Sequence, residues 1–302
     1  MGQVKKNSDF WYHMAAFAMI LVWGISFLNT RVLLDAGLTP TEIFVARFTI
    51  AYLSLLTISR FKVRYSGLRD ELLFVVCGIA GGSAYFIAEN TALELTLISD
   101  VAVLVSIAPL TTALMGAIFY RDERITLLTC VGMVIAFVGS VMLALKDGFV
   151  WGDSIMGDML AILAAFVWAF YSMALKKLNR TYTTLFITRK LFFYGVLSAL
   201  PLLALEDNHM DWQLLKQPAV WGNLLYLGLI CSMAAYFIWG ITVKRIGAVR
   251  ASNYFYLSPI ISMIAAAIWF GERTNAMAYI GCVLILAGVI MAEKFKRSTV
   301  NS

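Results

Sequence analysis

The chain has 302 residues, 61% of them hydrophobic and 14% charged, with a formal net charge of +6 and a mean hydropathy of +0.81. Soluble domains are roughly 45–50% apolar and about 25% charged, so the composition excludes a large water-soluble core and points to an integral membrane protein. The basic residues fall between apolar runs and form no stripe with interleaved aromatics, which argues against a nucleic-acid partner.

Ten apolar runs follow one another, at about 12–34, 42–60, 71–92, 98–120, 125–145, 157–176, 184–204, 219–242, 250–270 and 275–293. Most have the length that crosses about 30 Å of hydrocarbon as helix. The short alternating strands of an outer-membrane barrel are absent. Lys5 and Lys6 precede the first run as they would in a signal peptide. That run continues past Trp23 to Leu34 without a small-residue cleavage site, so it is expected to remain as the first helix. The second run carries Pro40 and Arg47, the third Tyr85, Glu89 and Asn90, the fourth Pro109, the sixth Trp168, the seventh Arg189 and Lys190, the eighth Trp239, and the ninth Asn253, Tyr256 and Pro259. Cys77, Cys130, Cys231 and Cys282 all lie within runs, without CxxC spacing, and read as small buried apolar residues. His13 and His209 stand alone and suggest no metal site.

Basic residues orient the spans. With the N-terminus in the cytoplasm, 17 of the 24 Lys and Arg residues fall on the inner side, and the outer side holds Lys146, Lys216 and Arg273, with Arg31 at a helix end. This bias places both termini in the cytoplasm. The acidic segments around Asp147–Asp158 and Glu206–Asp211 then lie outside.

Two stretches repeat. IAPLTTALMGAIFYRDERITLLTCVGMVIAFVGSVML begins at Ile107, and LSPIISMIAAAIWFGERTNAMAYIGCVLILAGVIM begins at Leu257. Pro109 matches Pro259, Glu123-Arg124 matches Glu272-Arg273, Gly132 matches Gly281 and Gly139 matches Gly288. Two related halves with an odd number of spans each must enter the membrane in opposite senses, and such inverted repeats place a site near the midplane. The expected architecture is therefore an all-α integral membrane protein of ten transmembrane helices, built from five-helix repeats at 12–145 and 157–293.

The pattern resembles the EamA-like module of the drug/metabolite transporter superfamily. The residues that carry the resemblance are Trp23-Gly24, Pro40 followed by Arg47, Pro109, and Glu123-Arg124 followed by Gly132 and Gly139. The second half offers Trp168, Pro259 and Glu272-Arg273 followed by Gly281 and Gly288; it departs at span 7, where Thr183 stands for Pro40 and Arg189-Lys190 stands near the position of Arg47. The resemblance implies a ten-helix inner-membrane carrier of small metabolites, often amino acids and commonly exported. No cofactor is implied.

Several residues could carry the transport. Glu89 shares a helix face with Tyr85, four residues earlier. A carboxylate at that depth binds a substrate ammonium, takes a coupling proton, or sits in the headgroup region without a role. Arg47, Arg189 and Lys190 are candidates for a substrate carboxylate or phosphate, against snorkelling to the nearer interface. Trp23, Trp168, Trp239, Tyr85, Tyr236, Asn253, Tyr254 and Tyr256 lie within spans and read as an aromatic and polar wall, or as packing and interface anchors. Pro109 and Pro259 break their helices and are candidates for gating, against static kinks. The glycine pairs read as close-packing faces, within one chain or between the copies of a homodimer.

The partners expected are a small-molecule solute, the bilayer and a coupling proton. There is no G-x-x-x-x-G-K-[ST] loop, so energy must come from a gradient. The leading expectation is a secondary carrier, with a nucleotide-sugar or lipid-linked solute transporter of the same fold as the alternative. No H-E-x-x-H or G-x-S-x-G supports a membrane enzyme.

Overall fold

The computed structural model describes residues 2–59, 65–120, 126–144, 154–206, 213–270 and 276–294, and the regular elements among them are all helical. His209 and the matched Glu123-Arg124 and Glu272-Arg273 pairs lie outside these residues.

Helix α1 spans Gly2–Asp35. Helix α2 (Pro40–Ile58) starts at a reciprocal cap. The Thr39 hydroxyl accepts from Glu42 N–H at 3.1 Å, and the Glu42 carboxylate accepts from Thr39 N–H at 2.9 Å, which satisfies two otherwise unpaired donors. Pro40 fits here because the first helical N–H has no intrahelical partner. Helix α3 (Leu68–Gly78) runs through a π-helical turn at Ile79–Ser83 into α4 (Ala84–Leu95), forming one rod. Helices α7 (Leu127–Ala144), α8 (Ile155–Leu178) and α9 (Thr184–Leu205) follow the first broken pair described below. Helix α10 (Pro218–Leu225) leads through a second π-helical stretch, Tyr226–Ala234, into α11 (Ala235–Ile246), and α14 (Ala276–Lys294) closes the described chain.

The fourth and ninth expected spans are each interrupted. Helix α5 (Ile98–Val105) stops at a turn over Ser106 and Ile107, and α6 (Ala108–Phe119) restarts with Pro109 as its second residue. Helix α12 (Ala248–Ser252) passes into a 3₁₀ stretch at Asn253–Leu257, and α13 (Ser258–Phe270) restarts with Pro259 as its second residue. The cause is the same in both halves. Proline has no N–H to donate and its ring crowds the carbonyl four residues back, so the preceding turn cannot stay α-helical.

By length and composition, 7 helical rods can cross a membrane: Asp9–Asp35, Pro40–Ile58, Leu68–Leu95, Asp100–Phe119, Ile155–Leu178, Thr184–Leu205 and Pro218–Ile246. This is fewer than the ten spans expected. The other three are helical too, but Leu127–Met142 and Ala276–Ala292 are shorter apolar stretches and the ninth is divided by its 3₁₀ segment.

The halves interleave rather than standing apart: α2 packs on α9, α4 on α8, and α1 on α11 and α13. Helices α7 and α14 form a seam of their own. A Cβ on Gly132 would stand 2.7 Å from the Gly288 carbonyl oxygen, and one on Gly139 would stand 2.7 Å from the Gly281 carbonyl oxygen. The seven-residue glycine spacing thus brings two backbones into direct contact within one chain. Cys77 and Cys231 are buried as expected, whereas Cys130 is exposed and Cys282 half-buried, on helix faces turned away from the core.

Candidate functional site

Aromatic side chains from both halves meet at the centre of the bundle. Trp23 of α1 has its ring centroid 5.5 Å from Trp168 of α8, 5.8 Å from Tyr236 and 5.3 Å from Trp239 of α11, and 5.7 Å from Phe255 of the 3₁₀ stretch. Tyr85 of α4 lies 5.0 Å from Trp168, and Tyr171 of α8 lies 4.8 Å from Trp168. The edge-to-face geometry that dominates here is the favoured one for quadrupolar rings. Trp23 is fixed further by donating its indole N–H to the Cys231 carbonyl at 2.8 Å.

These rings enclose a small chamber lined by Trp23, Ser26, Tyr85, Glu89, Trp168, Tyr236, Phe255 and Ser258, with an interior of about 20 Å³. That is room for one water molecule. Glu89 is 5% exposed, and its Oε1 accepts from the Tyr85 hydroxyl at 2.5 Å. Helical spacing of four puts both on the chamber side of α4. Among the described residues no ion pair joins Glu89 to a cation. The Tyr236 hydroxyl donates to the Gly81 carbonyl at 2.7 Å, inside the first π-helical turn. Such turns displace backbone carbonyls from regular helix bonding.

Arg47 stands one layer behind the chamber. It is 1% exposed. Its Nε donates to Ser232 Oγ at 3.0 Å and its guanidinium lies 4.2 Å from the Phe86 ring centroid. One terminal guanidinium nitrogen has no partner. The same holds for the indole nitrogens of Trp168 and Trp239, the Asn253 side-chain oxygen and the Tyr256 hydroxyl. Trp168 lines the chamber and the other four lie outside its lining. Buried polar groups are nearly always hydrogen-bonded, so these orphans call for an explanation.

Not every sequence candidate reaches this place. Asn90 follows Glu89 by one residue and so points elsewhere on the helix; its Nδ2 donates to the Pro40 carbonyl at 3.1 Å and ties α4 to the start of α2. Arg189 and Lys190 lie in a second pocket of about 190 Å³ at the end of the bundle where α2 finishes and α3 and α9 begin. There Lys190 pairs with Glu71. Nearby, the Tyr182 hydroxyl donates to Asp70 at 2.5 Å, and that bond to a carboxylate holds its pKa above the usual tyrosine value. His13 meets the Tyr254 hydroxyl at 2.8 Å.

Ser26, Phe255 and Ser258 of the chamber lining, Tyr171 beside Trp168, and Glu71 of the second pocket were not among the sequence candidates. The correspondence of Tyr85 and Tyr236 is written in the sequence. Ala84-Tyr85-Phe86-Ile87 recurs as Ala235-Tyr236-Phe237-Ile238, each copy directly after a π-helical stretch. Position 89 is Glu in the first copy, and its counterpart is Gly240 in the second, so the chamber carries one carboxylate instead of two. Among the described residues no group of three or more His, Cys, Asp or Glu is placed to hold a metal ion.

The EamA-like transporter family model matches the chain twice, over residues 10–145 and 155–293. A probable terminal-alkyne amino-acid exporter of Streptantibioticus cattleyicolor is 29% identical over 284 residues, covering 93% of each chain. A probable amino-acid metabolite efflux pump of Salmonella typhimurium is 25% identical, covering 91% of this chain and 92% of its own. An uncharacterized transporter of Archaeoglobus fulgidus is 25% identical over 284 residues, covering 92% of this chain and 96% of its own. A crystal structure with 21% identity superposes with a TM-score of 0.74, covering 94% of this chain and 98% of that one, which shows the fold. With its apolar rods and its two matched segments, the chain is a multi-pass membrane transporter of small molecules and belongs to the EamA-like transporter family.

Proposed function

We propose that the protein is a secondary carrier that exports amino acids or related amphipathic solutes across the cytoplasmic membrane by alternating access. In this reading ten helices form inverted repeats at 12–145 and 157–293, with both termini in the cytoplasm. The central chamber is the solute site. The names of two relatives, an amino-acid exporter and an amino-acid metabolite efflux pump, support the solute class.

The observation that carries the proposal is a lone buried carboxylate, Glu89, in an aromatic chamber contributed by helices of both halves. Glu89 makes no direct ion pair among the described residues, and the charge of Arg47 one layer behind offsets only part of the cost of holding a carboxylate in a membrane interior. A solute ammonium would neutralise it, and a proton would do so when the solute has left. The orphaned indole N–H groups of Trp168 and Trp239, the free Arg47 nitrogen and the Tyr256 hydroxyl are the donors available to a solute carboxylate. At about 20 Å³ the chamber is closed around less than an amino acid. Entry therefore requires the helices to part, and the breaks ahead of Pro109 and Pro259 are the places where backbone bonding is already interrupted. Trp23, Trp168 and Trp239 are assigned to the walls of the site, Asn253 and Tyr256 to its broken-helix side, and Asn90 to positioning α4.

The nucleotide-sugar alternative asks for a wide basic cavity. The pocket at Arg189 and Lys190 holds about 190 Å³ and includes Glu71, smaller than the roughly 300–1,000 Å³ of pockets for drug-sized ligands.

Reconstitution into proteoliposomes with a panel of the standard amino acids tests the proposal. At least one member is expected to be carried, with Glu89→Gln and Arg47→Ala both slowing it. If both variants transport normally at every pH, the chamber is not the solute site.

A further inference from the structure

The pocket at the start of α9 is charged with both signs. Lys190 of α9 and Glu71 of α3 form an ion pair whose side chains are 10% and 9% exposed. The Glu71 carboxylate also accepts from the Tyr194 hydroxyl at 2.5 Å and from Ser66 N–H at 2.8 Å. Arg189, 4% exposed, donates one N–H to Ser59 Oγ at 2.9 Å. Among the described residues no carboxylate pairs with Arg189. Tyr52 and Phe193 complete an apolar side of the same pocket.

Helices α3 and α9 do not need the ion pair to meet. Two turns along from Glu71, a Cβ on Gly78 would stand 2.9 Å from the Gly195 nitrogen, so backbone contact already joins them. Burying an ion pair costs desolvation that its attraction only partly offsets. A pair kept beside an unneutralised arginine, in a pocket large enough for a small solute, is suited to exchange.

We infer that this pocket is a reception site for a zwitterionic solute, apart from the central chamber, and that the arriving zwitterion takes over both halves of the Lys190–Glu71 pair. The solute carboxylate binds Arg189 and Lys190, with the planar guanidinium giving a two-bond contact. The solute ammonium binds Glu71. Charge is conserved in the exchange, and the contact that ties the start of α3 to α9 passes from protein to solute. A phosphate anion, free or on a lipid, would satisfy the two cations but would face the Glu71 carboxylate, so the mixed signs favour a zwitterion. The inference rests on the amino-acid reading of the carrier.

The test is flux of radiolabelled L-phenylalanine in right-side-out and inside-out membrane vesicles, with 2-phenylethylamine and 3-phenylpropionate as competitors lacking one charge each. In the wild type both competitors are expected to be weak. Arg189→Gln is expected to raise KM about tenfold in the vesicle orientation that presents this end, with kcat there changed less than about twofold, the mark of lost ground-state binding. In the other orientation kcat/KM must fall by the same factor, and there the loss is expected in kcat with KM unchanged. Arg189→Lys is expected to recover part of that loss. The variant should also lose its preference for L-phenylalanine over the amine. Unchanged KM, an equal rise in both orientations, a rise shared by the amine, or a KM set by the phosphatidylglycerol content of the vesicles would each overturn the reception site while leaving the carrier reading standing. A wild type that carries neither L-phenylalanine nor any other standard amino acid would overturn both.

Discussion

The α7–α14 seam and the central chamber both join the two halves of the chain, and they do so by opposite means. At the seam, Gly132 and Gly139 meet Gly288 and Gly281, and backbone stands against backbone with only the Cβ atoms of Ala136 and Leu284 as close. At the chamber, seven large aromatic rings fill the space and leave polar atoms without partners. A contact made of backbones has one fit and no spare donors, so it suits a fixed support. A contact made of side chains with unspent hydrogen bonds can trade partners, so it suits a site that opens. Membrane helices gain little from apolar association with one another, because lipid is equally apolar. Close backbone approach and polar bonding are the two means left, and this protein assigns them to different places.

That contrast can be broken experimentally, and the largest effect is expected at the seam. Gly139→Leu places its Cβ 2.7 Å from both the Gly281 oxygen and the Ile285 nitrogen, and such overpacking costs about 3 kcal/mol. Thermal unfolding in detergent should drop by many degrees, with transport lost as a consequence. At the chamber, Glu89→Gln keeps shape and can still bond Tyr85, so unfolding should scarcely move. Transport should nevertheless fall at least about tenfold, equivalent to about 1.4 kcal/mol. Trp168→Phe retains most of the ring area and removes an orphaned N–H; a rise in KM of about threefold with normal unfolding is expected in flux assays. The smallest effect belongs to the exposed pair of Arg31 and Asp35, with side chains 38% and 61% exposed. Asp35→Ala, which leaves the Arg31 bond to the Leu93 carbonyl in place, should shift stability by less than about 1 kcal/mol, with flux unchanged.

How much of this was legible depends on the residue. The glycine pairs were, because a repeat spacing of seven on a helix marks one face whatever surrounds it. Trp23, Trp168 and Glu89 were found because large or charged groups deep in an apolar run have few places to go. Asn90 was misleading: adjacency in sequence turns a side chain about 100° around the helix, away from Glu89 and toward the start of α2. Arg189 and Lys190 looked like the counterparts of Arg47, yet Arg47 stacks on Phe86 beside the chamber while they sit at the bundle end with Glu71. Glu71 itself was hidden, since an acidic residue in the first turn of a span reads as ordinary helix capping. Tyr85 and Tyr236 were both visible as aromatics within spans, but their correspondence was not, because the π-helical stretches before them differ in length, 5 residues against 9. The break before each proline was readable from the proline, but the 3₁₀ form of the second break was not.

The central claim is that the chamber opens to each face of the membrane in turn. It is tested most directly with a single cysteine at Ser26, whose hydroxyl bonds only its own helix at the Trp23 carbonyl, in a background where Cys77, Cys130, Cys231 and Cys282 are replaced. Membrane-impermeant maleimide applied from either side in separate vesicle preparations should label Ser26→Cys from both, and a transported amino acid should slow both reactions. Labelling from one face alone, or labelling that no amino acid slows, would contradict a shared site with alternating access.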